Sequence, residues 1–344
     1  MKVKDFDYHL PKNLIAQHPL KDRSASRLLV VDRQSGKRVD TMFKAFIDYL
    51  CAGDVLVIND TLVIPARLFG TKTQTGGAVE MILLKDLGNK RYETLVSKAK
   101  TIRLGTTITF GDGVLKAECI GVESEGVRIM KLEYEGVLLE LLETLGSMPL
   151  PPYIKETLHE ADRYQTVYSK HAGSAAAPTA GLHFTETYLQ KIRDKGIIIA
   201  PITLHVGLGT FRPVNVERIE DHHMHAEYYT LPKESAALIN EAKRKNQRII
   251  AVGTTSMRTL ETCAHDKGVK AQSGLSDLFI TPGFKFNVVD ALLTNFHLPQ
   301  STLLMLVSAF AKKEHILNAY QYAIDAQYRF FSFGDAMLLC DIDQ

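Results

Sequence analysis

The chain has 344 residues, which at roughly 150 residues per domain predicts about two domains. Apolar residues make up 45% and charged residues 23%, a balance that fits a soluble globular protein, and because no long stretch lacks apolar residues disorder is not expected. The formal net charge is only +2, so bulk charge gives no support for nucleic-acid binding, which often shows as a strongly basic domain.

In chain order, the polar start MKVKDFDYHLPK lacks the apolar run of a secretory signal. Asp54–Asn59 (DVLVIN) reads as a buried strand. Six short runs of period-two or β-branched residues follow, at Ala66–Thr73, Val79–Lys85, Tyr92–Ser97, Thr106–Phe110, Val114–Gly121 and Val127–Tyr134. Turn signals such as Gly76-Gly77, Gly88-Asn89 and Gly111-Asp112-Gly113 separate them. Six strands at this spacing predict a small antiparallel barrel, because closure removes exposed edges. A Leu-rich helix from Gly136 to Leu145 is expected to stop at Gly146, and Pro149-Leu-Pro-Pro152 reads as a linker.

Strands and helices then alternate: helix Thr185–Lys195 before Gly196, strand Ile197–Val206, helix Lys233–Lys245, strand Arg248–Val252, and helices Ser256–Ala264 and Thr302–Ala311. That order predicts an α/β domain with largely buried strands, made of residues 1–65 and 151–344. The six-stranded antiparallel β-barrel-like domain, residues 66–150, would be inserted in it. The longest strongly apolar segment, Leu303 to Ala311, is far short of the roughly 20 residues that cross a bilayer. Cys51, Cys119, Cys263 and Cys340 form no C-x-x-C pair, so no zinc ribbon or iron–sulfur cluster is expected. A reduced, cytoplasmic protein is expected.

Several polar stretches ask for a chemical reading beside a structural one. Gly253-Thr254-Thr255-Ser256, with Arg258, sits where a strand gives way to a helix. It is either an anion cradle or a simple N-cap. The small-residue run Gly173–Thr185, with Thr179, Gly181 and His183, permits close backbone approach to a ligand or is a tight βα loop. His205-Val-Gly207-Leu-Gly209-Thr210 lacks the third glycine of a dinucleotide fingerprint, which argues against a Rossmann-type site. In an extended strand His223, His225 and Glu227 would share one face, but without a cysteine or an H-E-x-x-H pattern no metal is expected. Asn295 and His297 precede the Ser301 N-cap of an apolar helix, and Pro299 fixes its entry. The aromatic run Tyr328–Phe333, with Arg329, either stacks a base or fills core.

Together these stretches resemble the S-adenosylmethionine:tRNA ribosyltransferase-isomerase family of queuosine biosynthesis. The resemblance rests on VINDTLVIPARL (Val57–Leu68), DRYQTVY (Asp162–Tyr168), GSAAAPTAGLHFT (Gly173–Thr185), HVGLGTFRPV (His205–Val214), MHAEYY (Met224–Tyr229), GTTSMRTLE (Gly253–Glu261), TNFHLPQSTLLMLVSAF (Thr294–Phe310) and YRFFSFGDAMLL (Tyr328–Leu339). It implies a barrel-like small domain beside a larger α/β domain. It also implies attachment of a ribosyl-derived epoxycyclopentanediol to 7-aminomethyl-7-deazaguanine at the wobble position of tRNAs with GUN anticodons. The product would be epoxyqueuosine, with adenine and methionine released and S-adenosylmethionine consumed as co-substrate. No membrane and no obligate protein partner is implied. The rival readings are a non-catalytic RNA-binding protein and a methyltransferase.

That chemistry needs a base near neutrality for the acidic protons beside the sulfonium, and a donor to help adenine leave. No step calls for a metal. His183, His205 and His297 are therefore expected to line the reaction centre, one of them as base. Thr254, Thr255 and Arg258 are expected to hold the methionine carboxylate or RNA backbone, with Arg258→Ala raising the KM for one substrate. Asp60, Arg67, Arg163, Tyr164, Thr179, Gly181, Gly207, Thr210, Glu227, Asn295 and Arg329 complete the candidate substrate-binding set. Lys85–Arg103 and Lys243-Arg244-Lys245 are candidate phosphate contacts.

Overall fold

The computed structural model describes every residue except 124–125, 159, 208–213, 267 and 343–344. It separates into two compact units: Met1–Leu62 with Pro152–His171 and Ala177–Gln344, and Val63–Pro151 with Ala172–Ala176.

In the first unit the apolar runs assemble a nine-stranded sheet. Its order is Gln272–Ser276, Glu227–Leu231, Ile198–Leu204, Val55–Asn59, Ile249–Val252, Ala291–Asn295, Ala336–Cys340, Arg27–Asp32, Arg38–Met42. Every residue of Val55–Asn59, Ile249–Val252 and Ala291–Asn295 is buried, as continuous hydrophobic runs covered on both faces must be. The edge strand Arg38–Met42 is polar and mostly exposed, which discourages pairing with a further strand. Helix Glu186–Asp194 begins where the Thr185 side chain accepts the Tyr188 N–H. It buries Tyr188, Leu189 and Ile192 against Leu28, Leu56, Phe184 and Leu293.

The directions of these strands decide where chemistry collects. Ile198–Leu204, Val55–Asn59, Ile249–Val252 and Ala291–Asn295 are parallel neighbours. Ala336–Cys340 then runs antiparallel, with Asn295 opposite Ala336, and Leu28 of the next strand also lies opposite Ala336. The carboxyl ends of four strands and the amino ends of two therefore share one edge. Open α/β sheets bind ligands outside the carboxyl ends of their strands.

The second unit is built on a six-stranded antiparallel barrel. Arg67–Lys72, Ala78–Asp86, Arg91–Val96, Val127–Tyr134, Leu115–Val122 and Thr107–Phe110 pair in that order, and Thr71 and Lys72 close the ring on Thr109 and Ile108. Alternate residues point inward, among them Val79, Met81, Leu83, Ala117, Cys119, Met130 and Leu132. The Leu138–Leu145 helix adds Leu142 to that core.

Gly146 corrects one expectation. Its φ is −92°, so it is no left-handed helix cap. It is glycine because a Cβ there would sit 1.9 Å from the Pro65 carbonyl oxygen. Gly146→Ala should therefore cost about 1–3 kcal/mol through overpacking. Urea unfolding reads this directly, and an unchanged midpoint would show that the Pro65 backbone yields freely.

Candidate active site

The strand Val55–Asn59 leads into Asn59 and Asp60 at the shared edge. Asn59 pins the neighbouring strand: its Nδ2 donates to the Leu204 carbonyl at 3.0 Å, and its Oδ1 accepts the Leu204 N–H at 3.0 Å. Asp60 is buried, accepts the Thr203 hydroxyl at 2.7 Å and lies 3.6 Å from His171 Nε2. Burial raises its carboxyl pKa, opposed by the Thr203 bond and by His171. Next to it His205 leaves the end of Ile198–Leu204. Its N–H donates to the Tyr228 carbonyl at 2.9 Å, its Nδ1 meets Thr61 Oγ1 at 2.7 Å, and its ring stacks on Tyr228. His205 is half-buried, and burial, then His171, lowers its pKa. No hydrogen bond to its Nε2 occurs among the described residues.

His183 lies in the Thr179–His183 turn and is locked on both sides. The Thr179 hydroxyl donates to Asn295 Oδ1 at 3.1 Å, which leaves the Asn295 amide donating to His183 Nε2 at 3.3 Å and to the Phe331 carbonyl at 3.2 Å. The network thus puts the His183 proton on Nδ1, facing Ser26 Oγ at 2.8 Å. Phe331 holds that carbonyl in place with φ at +69°, a costly conformation for a bulky residue. Burial, then Arg329 and Arg23, pushes His183 down to about 4.

His297 belongs to the core. Its Nε2 meets Thr294 Oγ1 at 2.9 Å, its N–H donates to the Tyr320 hydroxyl, and its carbonyl accepts from Tyr8. Burial lowers it to about 3. The three histidines do not form one cluster. Three inter-strand steps of roughly 4.8 Å separate the strand carrying His205 from the one carrying Asn295, or about 14 Å.

Buried neutral histidines make stability pH-dependent, and His183 contributes a part that can be isolated. Its folded pKa is below its ordinary 6.5, so between 6.5 and about 4 only the unfolded chain takes the proton. Stability should fall as pH falls through that window, by on the order of 3 kcal/mol. Comparing denaturant midpoints of the wild type and His183→Asn from pH 7 to 4 isolates the effect. Equal slopes would contradict it.

Glu227 and Arg258 form a second buried group. Arg258 Nη1 donates to Glu227 Oε2 at 2.5 Å, and Glu227 Oε1 accepts the Gly207 N–H at 3.0 Å. Both side chains are about 95% buried, at 4% and 5% exposure. Helix Gly253–Thr262 starts at Gly253, three residues before its expected start, with no side-chain cap; Thr254 is buried, and the Thr255 and Ser256 hydroxyls have no partner among the described residues. The simple N-cap is therefore not what those hydroxyls do.

The remaining candidates fall as follows. Tyr164 is fully buried, edge-on to Phe333. Gly181 is needed by internal packing, since a Cβ would lie 2.1 Å from the Tyr168 hydroxyl. Arg67 belongs to the barrel, where it pairs with Glu80 at 2.7 Å. Arg163 and Arg329 grip backbone carbonyls, those of Lys21 and Leu20 and that of His18. Thr210 lies outside the described residues. His223 and His225 are exposed and precede the strand that starts at the buried Glu227, so the three do not share a strand face. No group of three His, Cys, Asp or Glu that could hold a metal ion occurs among the described residues. Of the candidate phosphate contacts, Lys243 pairs with Asp290, and Arg244 and Lys245 pair with Glu241. The aromatics Tyr328, Phe330, Phe331 and Phe333 fill core. Thr61, His171, Ser26 and Arg23 were not singled out from sequence, although Thr61 stands inside the VINDTLVIPARL run.

The family model described as queuosine biosynthesis protein matches residues 3–339. Proteins named S-adenosylmethionine:tRNA ribosyltransferase-isomerase from Staphylococcus epidermidis and Staphylococcus haemolyticus are 58% and 59% identical over 340 residues, covering 98% of this chain and all of theirs. A crystal structure of S-adenosylmethionine tRNA ribosyltransferase from Thermotoga maritima is 37% identical, covers 97% of this chain and 99% of its own, and superposes with a TM-score of 0.57.

Proposed function

The chain belongs to the queuosine biosynthesis protein family, and from that membership we propose that it transfers and isomerises the ribosyl part of S-adenosylmethionine onto tRNA. The acceptor is 7-aminomethyl-7-deazaguanine at the wobble position of tRNAs with GUN anticodons, and the setting is the cytoplasm. The unstacked wobble base would be held by stacking and edge hydrogen bonds.

The observation that carries the assignment of roles is the contrast among three histidines. Both ring nitrogens of His183 are engaged, and His297 is sealed in the core. Among the described residues, His205 keeps one nitrogen open at the carboxyl ends of the parallel strands. We assign His205 as the base that removes a 5′ proton made acidic by the sulfonium. Thr61 orients its ring, and Asp60 with His171 forms a polar wall next to it. The aminomethyl nitrogen loses a proton and bonds to the sugar, adenine leaves carrying a proton, and methionine leaves as the C–S bond of the sulfonium breaks on the way to the epoxycyclopentanediol. Positive sulfur supplies the activation, so the reaction proceeds with S-adenosylmethionine as consumed co-substrate and without a metal.

Incubating the protein with S-adenosylmethionine and tRNA carrying the deazaguanine precursor should yield free adenine and the epoxyqueuosine mass. S-adenosylhomocysteine as product would indicate a methyltransferase, and tRNA binding without consumption of the donor a binding protein. Turnover should also survive chelator treatment; activity lost to chelator and restored by a divalent ion would refute the metal-free route.

A further inference from the structure

We propose that the cleft formed by Arg23 and Arg163, with Arg329 close by, is an oxyanion site next to His183, taking a carboxylate or phosphodiester from one of the two substrates. The identity of those substrates rests on the reading above. The cleft is lined by Arg23, Ser26, Arg163, His183, Ser332 and Gly334 among others.

The three guanidiniums are held by neutral acceptors. Arg23 donates to the carbonyls of Gln165, Leu182 and Asp162 at 2.9, 3.3 and 2.8 Å. Arg163 donates to those of Lys21 and Leu20, and Arg329 to that of His18. Two donors are left over: Arg163 Nε and Arg329 Nη1 are buried and have no acceptor among the described residues. No carboxylate reaches ion-pairing distance of the three among the described residues. Asp162 and Asp335 act on Arg23 and Arg329 only at longer range, and Asp335 spends its oxygens on the N–H groups of Arg27 and Arg329.

Clamping loops explains the carbonyl bonds. It does not explain why cations do the clamping, nor the two buried N–H groups without acceptors. Burial, then the like charge of Arg163, depresses the pKa of Arg23, and unsatisfied buried donors are costly. An anion seated in the cleft offsets the repulsion between Arg23 and Arg163, which line it, and guanidinium is the side chain that recognises two oxygens by paired hydrogen bonds. His183, kept neutral, adds no charge of its own there. Two sources fit: the methionine carboxylate of S-adenosylmethionine, or a phosphodiester of the tRNA.

Arg329→Gln is the test variant, because Arg23 holds three carbonyls. Arg163→Lys, which keeps the charge and loses Nε–H, serves if the first does not fold. Inorganic phosphate should raise the melting temperature of the wild type and do so less for the variant. Calorimetric titration with S-adenosylmethionine, its decarboxylated analogue and tRNA identifies the source. For a carboxylate, the wild type binds the decarboxylated analogue about tenfold more weakly and the variant binds both alike. For a phosphodiester, the variant loses about tenfold in tRNA affinity, and its salt slope drops by about one. A folded variant equal to wild type towards phosphate, donor and tRNA overturns the site. A wild type that never consumes the donor refutes the enzymatic reading instead, and the phosphate measurement still judges the site.

Discussion

His205→Ala is expected to slow adenine release by about 10²–10⁴-fold, the range for loss of a positioned general base, while unfolding at nearly the wild-type temperature. The small effect on stability follows from placement. His205 is half-buried at a strand end and contributes one side-chain hydrogen bond, to Thr61, worth roughly 1 kcal/mol net. His183→Ala and His297→Ala should behave in the opposite way, removing buried rings that satisfy Asn295, Ser26 and Thr294. The pH profile gives a second reading. A base acts when deprotonated, and burial lowers the His205 pKa from 6.5. Activity should therefore be level above pH 6.5 and fall only as pH drops through that lowered value. Thr61→Val should misorient the ring and cost less than removing it. Wild-type turnover by a folded His205→Ala protein would end the assignment, and His171, whose charge acts on His205, and Asp60 beside it would then be the residues to replace.

The barrel was legible because each strand alternates inward and outward residues and is closed off by glycine-rich turns, so Val127–Tyr134 could be bounded to the residue. The central parallel strands were legible as apolar runs, since burial on both faces leaves few polar positions. The edge hairpin Arg27–Asp32 and Arg38–Met42 was not. Its outer strand is polar because one side meets solvent, which erases the contrast that marks a strand. Likewise Ala336–Cys340 reads in sequence as the tail of an aromatic motif. The site was legible as a set of polar stretches but not as a geometry. Sequence places His183, His205 and His297 in three similar contexts, Gly- or Pro-rich and near element ends. Only the sheet order shows that Asn295 consumes one of them and the Tyr8–Tyr320 core another. Arg258 carries the same lesson: its motif suggests a free cation, whereas its partner Glu227 stands 31 residues away on a neighbouring strand.

Glu227→Ala is expected to destabilise the protein by about 3–5 kcal/mol, the cost of leaving one member of a buried ion pair without its partner. Arg258 is 4% exposed, and among the described residues its remaining contact, to the Ser276 carbonyl, is long at 3.5 Å and its Nε has no acceptor. Removing the carboxylate thus strands a cation that water does not reach. The pair also ties the Gly207 N–H, immediately before the undescribed 208–213 segment, to helix Gly253–Thr262. The double variant Glu227→Leu with Arg258→Met tests the physics, because it removes both charges and keeps the volume. It should recover most of the lost stability, whereas additive losses would mean that packing around the two stems, not the charge, sets the cost. For the same reason Arg258→Ala should lower stability as well as raise a KM. Measuring the KM of each substrate well below the variant's melting temperature separates the two, and a KM unchanged for both would leave Arg258 as an internal counter-ion to Glu227 and nothing more.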